Sequence, residues 1–299
     1  MLRLSLVGMA VLTCASWSNA VALTDGATSV GRPPRQSEAV ITPEQFRRST
    51  VIDNKWSPMR PGSRWTYEGT SQEDDGKIVP HRIVITTTGL KKILNGIQTV
   101  VSYDLDFSDG ELVEAELAFY AQDNSGNVWQ FGEYPEEYED GKFIRAPVWI
   151  HGVKGARAGI MMPADPRLDT GAFAEGWGPA VGWKDRGSIY QTGQTVTVPA
   201  GAFEGVLVIK ESAAGEKDAE QLKYYAPGTG SVRTGWLASD SKTTETLELV
   251  KFDQLDRGAL REVNQKALRL EKDAYLRSKD VYSKTGRSIA IDDHGFPER

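Results

Sequence analysis

From Trp56 to about Phe252, apolar and polar residues alternate with a period of two. That is the pattern of strands that bury one face. The clearest runs are Trp65–Glu68, Arg82–Thr88, Thr99–Phe107 and Glu111–Tyr120, all rich in β-branched and aromatic residues. Asn127–Phe131, Thr195–Val198, Val206–Lys210, Gln221–Tyr225 and Thr243–Phe252 continue the series. Turn-forming clusters separate them: Asp74-Asp75-Gly76, Asn95-Gly96, Ser108-Asp109-Gly110, Ser125-Gly126-Asn127 and Pro227-Gly228. The pattern predicts an antiparallel β domain over residues 55–253.

The alternation breaks in three places. Residues 152–188 hold eight glycines and two tryptophans, Trp177 and Trp183, and read as a long irregular excursion of the kind that often carries function. Leu260, Val263, Ala267, Leu270, Ala274 and Val281 then recur at helical spacing. They predict a C-terminal helix within 254–286, stopped by Gly286, with a frayed tail over 287–299. Residues 23–54, with Gly31-Arg-Pro-Pro-Arg35, read as an extended arm. Within it, Thr42, Pro43 and Gln45 are spaced to start a short helix.

Residues 1–22 follow another rule. Arg3 precedes an apolar run from Leu4 to Ala15, and Ser18-Asn-Ala20 and Ala20-Val-Ala22 are small-x-small sites. This is a secretory signal peptide, too short to span a membrane. It places the mature protein in the periplasm or the extracellular space. It also removes Cys14, the one cysteine of the chain, and with it any disulfide, thiolate metal site or cysteine nucleophile. No later segment reaches the ~20 apolar residues of a transmembrane helix. The formal net charge of −6, with basic residues scattered, argues against nucleic acid as a partner.

Two groups of residues are candidates for chemistry. In the hairpin 99–120, Val101, Tyr103, Leu105 and Phe107 share a face with Val113, Ala115, Leu117 and Phe119. A three-residue loop, Ser108-Asp109-Gly110, then sets Asp104 opposite Glu114, with Asp106 and Glu116 nearby on the same face. Like charges so placed repel unless something neutralises them. Three readings follow: a solvated face, or one paired with Arg82 or Lys91; a calcium-like cation site; or a carboxylate pair for glycoside hydrolysis. The second group is Trp177 and Trp183, aromatics on a glycine-rich loop that suit a pocket for a sugar or an apolar ligand. The three histidines, His81, His151 and His294, lie outside metal-ligand spacing of one another. No Gly-x-Ser-x-Gly elbow, phosphate loop or dinucleotide fingerprint is present. No cofactor or metal is implied.

Several phrases resemble those of a group of exported bacterial proteins of unknown function. They are Trp56-Ser-Pro-Met-Arg-Pro-Gly-Ser-Arg-Trp-Thr-Tyr-Glu-Gly69, Phe119-Tyr-Ala-Gln-Asp123, Gly126–Glu133, Gly155–Ala164, Val198-Pro-Ala-Gly-Ala-Phe203 and Lys223-Tyr-Tyr-Ala-Pro-Gly-Thr-Gly-Ser-Val232. The last two are similar to phrases of exported proteins whose curved antiparallel sheets resemble the outer-membrane lipoprotein carriers. The resemblance implies a curved sheet or open half-barrel with an apolar concavity and carries over no catalytic residue. The expectation is an exported, non-enzymatic binding or accessory protein of the envelope, holding a small apolar or carbohydrate ligand. Two alternatives stand beside it: a carboxylate-dependent hydrolase of an envelope glycan, and a module docking an envelope protein partner through the C-terminal helix.

Overall fold

The computed structural model describes residues 40–72, 76–213, 220–237 and 246–291. The signal segment, most of the arm and residues 292–299 lie outside them. After a single 3-10 turn, Pro43–Gln45, the chain forms five long strands as consecutive hairpins: β1 (Ser63–Gln72), β2 (Ile78–Leu94), β3 (Ile97–Ser108), β4 (Glu111–Gln122) and β5 (Val128–Glu139). Short strands follow: β6 (Lys142–Arg145), β7 (Trp149–Ile150), β8 (Arg157–Met162), β9 (Phe173–Ala174) and β10 (Gly176–Trp177). Another run of hairpins comprises β11 (Asp185–Val198), β12 (Gly201–Ala213), β13 (Glu220–Ala226), β14 (Gly230–Trp236) and β15 (Thr246–Gln254). The chain then enters helix α1 (Arg257–Arg277), and the last strand among the described residues is β16 (Ile289–Ala290).

Because β15 returns beside β1, the two runs merge into one antiparallel sheet. Its order is β10-β8-β5-β4-β3-β2-β1-β15-β14-β13-β12-β11-β9. The protein is therefore mainly β, a curved antiparallel sheet with one C-terminal helix. The turns do what their residues dictate. Asp123, before β5, accepts hydrogen bonds from the backbones of Ser125 and Asn127 and from Trp129 Nε1 (2.8–2.9 Å), so the Asp-turn-Trp phrase is a hairpin turn. Pro199-Ala200 joins the paired ends Val198 and Gly201.

Over β2 to β5 both faces of the sheet are covered. On the convex side Leu90, Leu94, Val101, Leu117, Phe119 and Tyr134 pack against Ala267, Leu270 and Ala274 of α1. Asp256 caps the helix, its Oδ1 accepting from Ala259 N at 2.8 Å. Polar contacts fix the helix on the sheet at three points. Asn264 Oδ1 accepts from Gly89 N at 2.9 Å, Lys92 Nζ reaches Glu271 Oε1 at 2.8 Å, and Arg277 pairs with the buried Glu136. The helix does not run on to Gly286. It stops at Arg277, where Ser278 O accepts from both Val281 N and Tyr282 N. The turn swings Tyr282, fully buried, onto the rings of Tyr275 and Tyr134, 4.9 and 5.3 Å away. Nor is the start of the tail frayed: Ile289 and Ala290 pair with Lys91 and Leu90 of β2.

The glycine-rich stretch is also more regular than its composition predicts. The two outermost strands of the sheet, β9 and β10, are halves of one five-residue segment, 173–177. Its first half pairs with β11 and its second with β8, while Glu175 N donates to Asp185 O at 3.0 Å. The glycines serve close approach. A Cβ on Gly159 would lie 2.3 Å from Ala174 O, and one on Gly176 would lie 2.1 Å from the ring of Trp183. The Gly159→Ala variant is expected to lose about 1–3 kcal/mol of stability in urea denaturation. Amide exchange should also quicken across 173–177, and an unchanged exchange rate there would contradict this account of the contact.

Candidate functional site

The acidic hairpin is built differently from its expected register. Ser108 pairs with Glu111, so the loop is the two-residue Asp109-Gly110 with φ of 49° and 86°, as a type I′ turn requires. A bulge follows: Asp106 pairs with Glu114 but Phe107 with Leu112, leaving Val113 extra. Asp104 therefore faces Glu116, and Asp106 faces Glu114. The bulge restores the parity that the shorter loop would have broken. Val101, Tyr103 and Leu105 still oppose Phe119, Leu117 and Ala115 on the helix side, and the acids occupy the other face.

That other face is the inside of the curved sheet, so the solvated reading is overturned. Asp106, Glu114 and Glu116 are 4%, 3% and 2% exposed. Neither Arg82 nor Lys91 neutralises them. Arg82 reaches out to the exposed Glu68 (3.9 Å), and Lys91 pairs through its backbone with Ile289. The partner of Asp106 is His81, with Nε2 2.7 Å from Oδ1. Asp104 accepts from Ser102 Oγ at 2.6 Å, and burial lifts its pKa to about 7. Glu114 and Glu116 are pushed well above the carboxylate range, first by burial and then by neighbouring acids, among them Asp106, Glu133 and Asp104. Retained protons are how these facing carboxyls tolerate one another. The open space beside them is about 10 Å³, room for about one water and too small for a sugar ring. Among the described residues no three His, Cys, Asp or Glu side chains are placed to hold a metal ion.

Asp104 also borders a larger cavity inside the same concavity. The cavity is about 90 Å³ and opens to solvent, smaller than the ~300–1,000 Å³ of pockets for drug-sized ligands and scaled to a much smaller molecule. Trp65 and Tyr67 from β1, Tyr120 from β4 and Tyr225 from β13 supply aromatic walls, and Met59 and Met161 supply thioethers. Asp104, Glu175, Glu211 and Lys223 supply charge. Pairing register explains the convergence. Trp65 and Ile85 are paired, Ile85 and Asp104 are paired, and Tyr120 pairs with Gln130 on the next strand. Lys223 Nζ lies 2.5 Å from Glu211 Oε2. Burial pulls the Lys223 pKa down, but Glu211, Tyr225 and Glu175 outweigh it and hold the ammonium charged. Glu175 sits at the centre of the 173–177 segment and is pushed well above the carboxylate range by burial and then by Glu211.

The two candidate tryptophans do not line this cavity. Trp183 is buried and stacks on Trp149 at 4.5 Å, against Ala156. Trp149 in turn donates from Nε1 to the buried Glu133 at 3.0 Å. Trp177 is 44% exposed, its backbone paired with Arg157. Trp65 is the tryptophan on the cavity wall. The signal for it lay in the recurrent phrases rather than in the loop. The phrase 56–69 contributes Met59, Trp65 and Tyr67, and the phrase 223–232 contributes Lys223, Tyr225 and Ser231. Its Pro227–Thr229 turn closes over Trp65, whose Nε1 donates to Thr229 O at 2.7 Å. The apolar stripe of α1, the candidate docking element, is covered by the protein's own sheet.

Neither a family model nor a curated protein matches this chain. Among solved structures it is similar to a protein from Bacteroides fragilis NCTC 9343 described as exported and of YmcC-like fold. The identity is 16% and the TM-score 0.39, over 67% of this chain and 99% of that one. It is also similar to a protein from Parabacteroides distasonis ATCC 8503 described as a lipoprotein, at 13% identity and a TM-score of 0.36. That match covers 67% of this chain and all of the other (100%).

Proposed function

We propose that the chain is an exported, non-enzymatic binding protein of the cell envelope that holds a small ligand in its concave cavity. The observation that carries this reading is the cavity itself: unfilled space inside a packed sheet, walled by four aromatic rings with polar groups at defined positions. Protein interiors are otherwise close-packed, and a mostly apolar concavity with a few convergent polar groups is how small-molecule sites are built. The signal peptide supports export, and a ligand held without covalent chemistry needs no cofactor. A catalytic reading finds less support: of the facing acids of β3 and β4 only Asp104 borders the larger cavity, and Asp106, Glu114 and Glu116 border a space of about one water.

Native mass spectrometry of the full protein from its own envelope fraction tests the proposal. A retained small molecule is expected, and Trp65→Ala should lower its occupancy at least tenfold while the far-ultraviolet circular dichroism stays unchanged. A folded wild-type protein that retains nothing, and binds no member of a small-molecule panel, would overturn it.

A further inference from the structure

The polar groups of the cavity are unevenly divided between donors and acceptors. Most donors are already engaged within the protein. Trp65 Nε1 donates to Thr229 O at 2.7 Å, Tyr67 Oη to Ser231 O at 2.9 Å, and Ser102 Oγ to Asp104 at 2.6 Å. Gln130 Nε2 is held by Glu133, and the Lys223 ammonium by Glu211 at 2.5 Å. The hydroxyls of Tyr120, Tyr225 and Ser231 can turn either way. Acceptors are in excess. Glu175 is 6% exposed, and its Oε1 has no hydrogen-bond partner although it lies buried at the cavity wall. Such an orphan carboxyl oxygen in a native interior calls for a missing polar partner.

The carboxyl groups point the same way. Asp104, Glu175 and Glu211 border the cavity against one ammonium, Lys223, which Glu211 neutralises. Asp104 and Glu175 retain protons in the unliganded protein, and a bound ammonium would favour their ionised forms. The rings of Trp65, Tyr67, Tyr120 and Tyr225 offer negative π faces, which attract cations. The acids do not converge as metal ligands do, so an inorganic ion does not fit the donor set. We propose that this cavity binds a small organic cation: an amine with an apolar body, its ammonium directed at Glu175 and its body against the aromatic and methionine walls. This rests on the binding reading above and narrows it to a ligand class. Since a cavity of about 150 Å³ holds benzene, the 90 Å³ here has room for about four non-hydrogen atoms, with the rest of a longer chain extending into the open mouth.

Three probes of nearly equal size and shape, pentylamine, pentan-1-ol and pentanoate, separate the contributions. Calorimetric titration of the full mature protein at pH 8, with quenching of tryptophan fluorescence as a second readout, is expected to show pentylamine binding at least tenfold more tightly than pentanol. Pentanoate should not bind measurably. Glu175→Gln should bring pentylamine to within threefold of pentanol and leave pentanol unchanged. Asp104→Asn, which also borders the cavity, provides a second variant should the first not fold. If pentanol or glucose binds as tightly as pentylamine, and Trp65→Ala weakens that binding, the cation proposal fails while the binding function stands. If no probe binds and no ligand is retained in native mass spectrometry, both fail.

Discussion

The Lys92→Met variant is expected to lose about 3–5 kcal/mol of stability. Lys92 is fully buried beneath α1. Its ammonium donates to Glu271 Oε1 at 2.8 Å, to Gly286 O at 2.6 Å and to Tyr275 Oη at 3.2 Å, and it lies 4.4 Å from the ring centre of Tyr282. Burial depresses its pKa, and Glu271 works against that depression. Removing the ammonium leaves Glu271, 4% exposed, hydrogen-bonded to the backbone and hydroxyl of Ser288 but without a cation in the interface. An uncompensated buried carboxylate is what makes the loss large. The paired variant Lys92→Met/Glu271→Leu removes both charges and should recover most of the loss, since apolar replacement of a whole buried pair is often neutral. Urea denaturation of the three proteins is the check. A single variant within about 1 kcal/mol of wild type would mean that the pair does not anchor the helix.

This anchor shows what a one-dimensional reading reaches. Leu260, Val263, Ala267, Leu270 and Ala274 were legible as a helix face, because a 3.6-residue period survives in any context. Lys92 was not legible. A lysine beside Ile93 and Leu94 in a strand reads as solvent-facing until the helix that covers that face is placed, 179 residues away in sequence at Glu271. The strands and their alternation were equally plain, yet alternation gives two faces and does not say which is inside. For β3 and β4 both faces are interior, one under the helix and one in the concavity, so the acidic face could not be told from a solvated one. The register error had a local cause. The bulge at Val113 conserves facing parity while shifting Asp104 from Glu114 to Glu116, and parity was the only guide the sequence offers. The cavity was hidden for a different reason. Its walls come from strands that meet only when β15 closes beside β1, so Trp65, Glu175 and Lys223 share no sequence neighbourhood. The glycines of 152–188 signalled something unusual, but their role is tight backbone contact rather than looseness.

The acidic interior makes the second large prediction: the protein should grow less stable as pH rises from 5 to 8, the reverse of ordinary acid denaturation. Asp104 titrates near 3.8 in an unfolded chain and about 7 in the folded one, chiefly through burial. Around it stand Tyr67 on β1, Glu114, Glu116 and Tyr120 on β4, and the hydroxyl of Ser102 on its own strand, whose hydrogen bond opposes the shift. Between those two values the folded state binds more protons than the unfolded state, so the stability slope with pH is negative. The contribution is fully present below about pH 4 and is lost as pH climbs through the folded value. Glu114, Glu116, Glu133 and Glu175 shift in the same direction and extend the loss upward. At about 1.4 kcal/mol per unit, Asp104 alone accounts for roughly 2–4 kcal/mol once local water is allowed for. In a chain of this size that is about 5–15 °C in Tm. Scanning calorimetry in matched ionic strength should show Tm falling across that window. Asp104→Asn should flatten the slope, because an amide has no proton to lose, and should exceed wild type in Tm at pH 8. A wild-type Tm that holds level or rises from pH 5 to pH 8 would mean that these carboxyls are ionised and compensated in the folded protein, and the buried acids would then need partners other than their own protons.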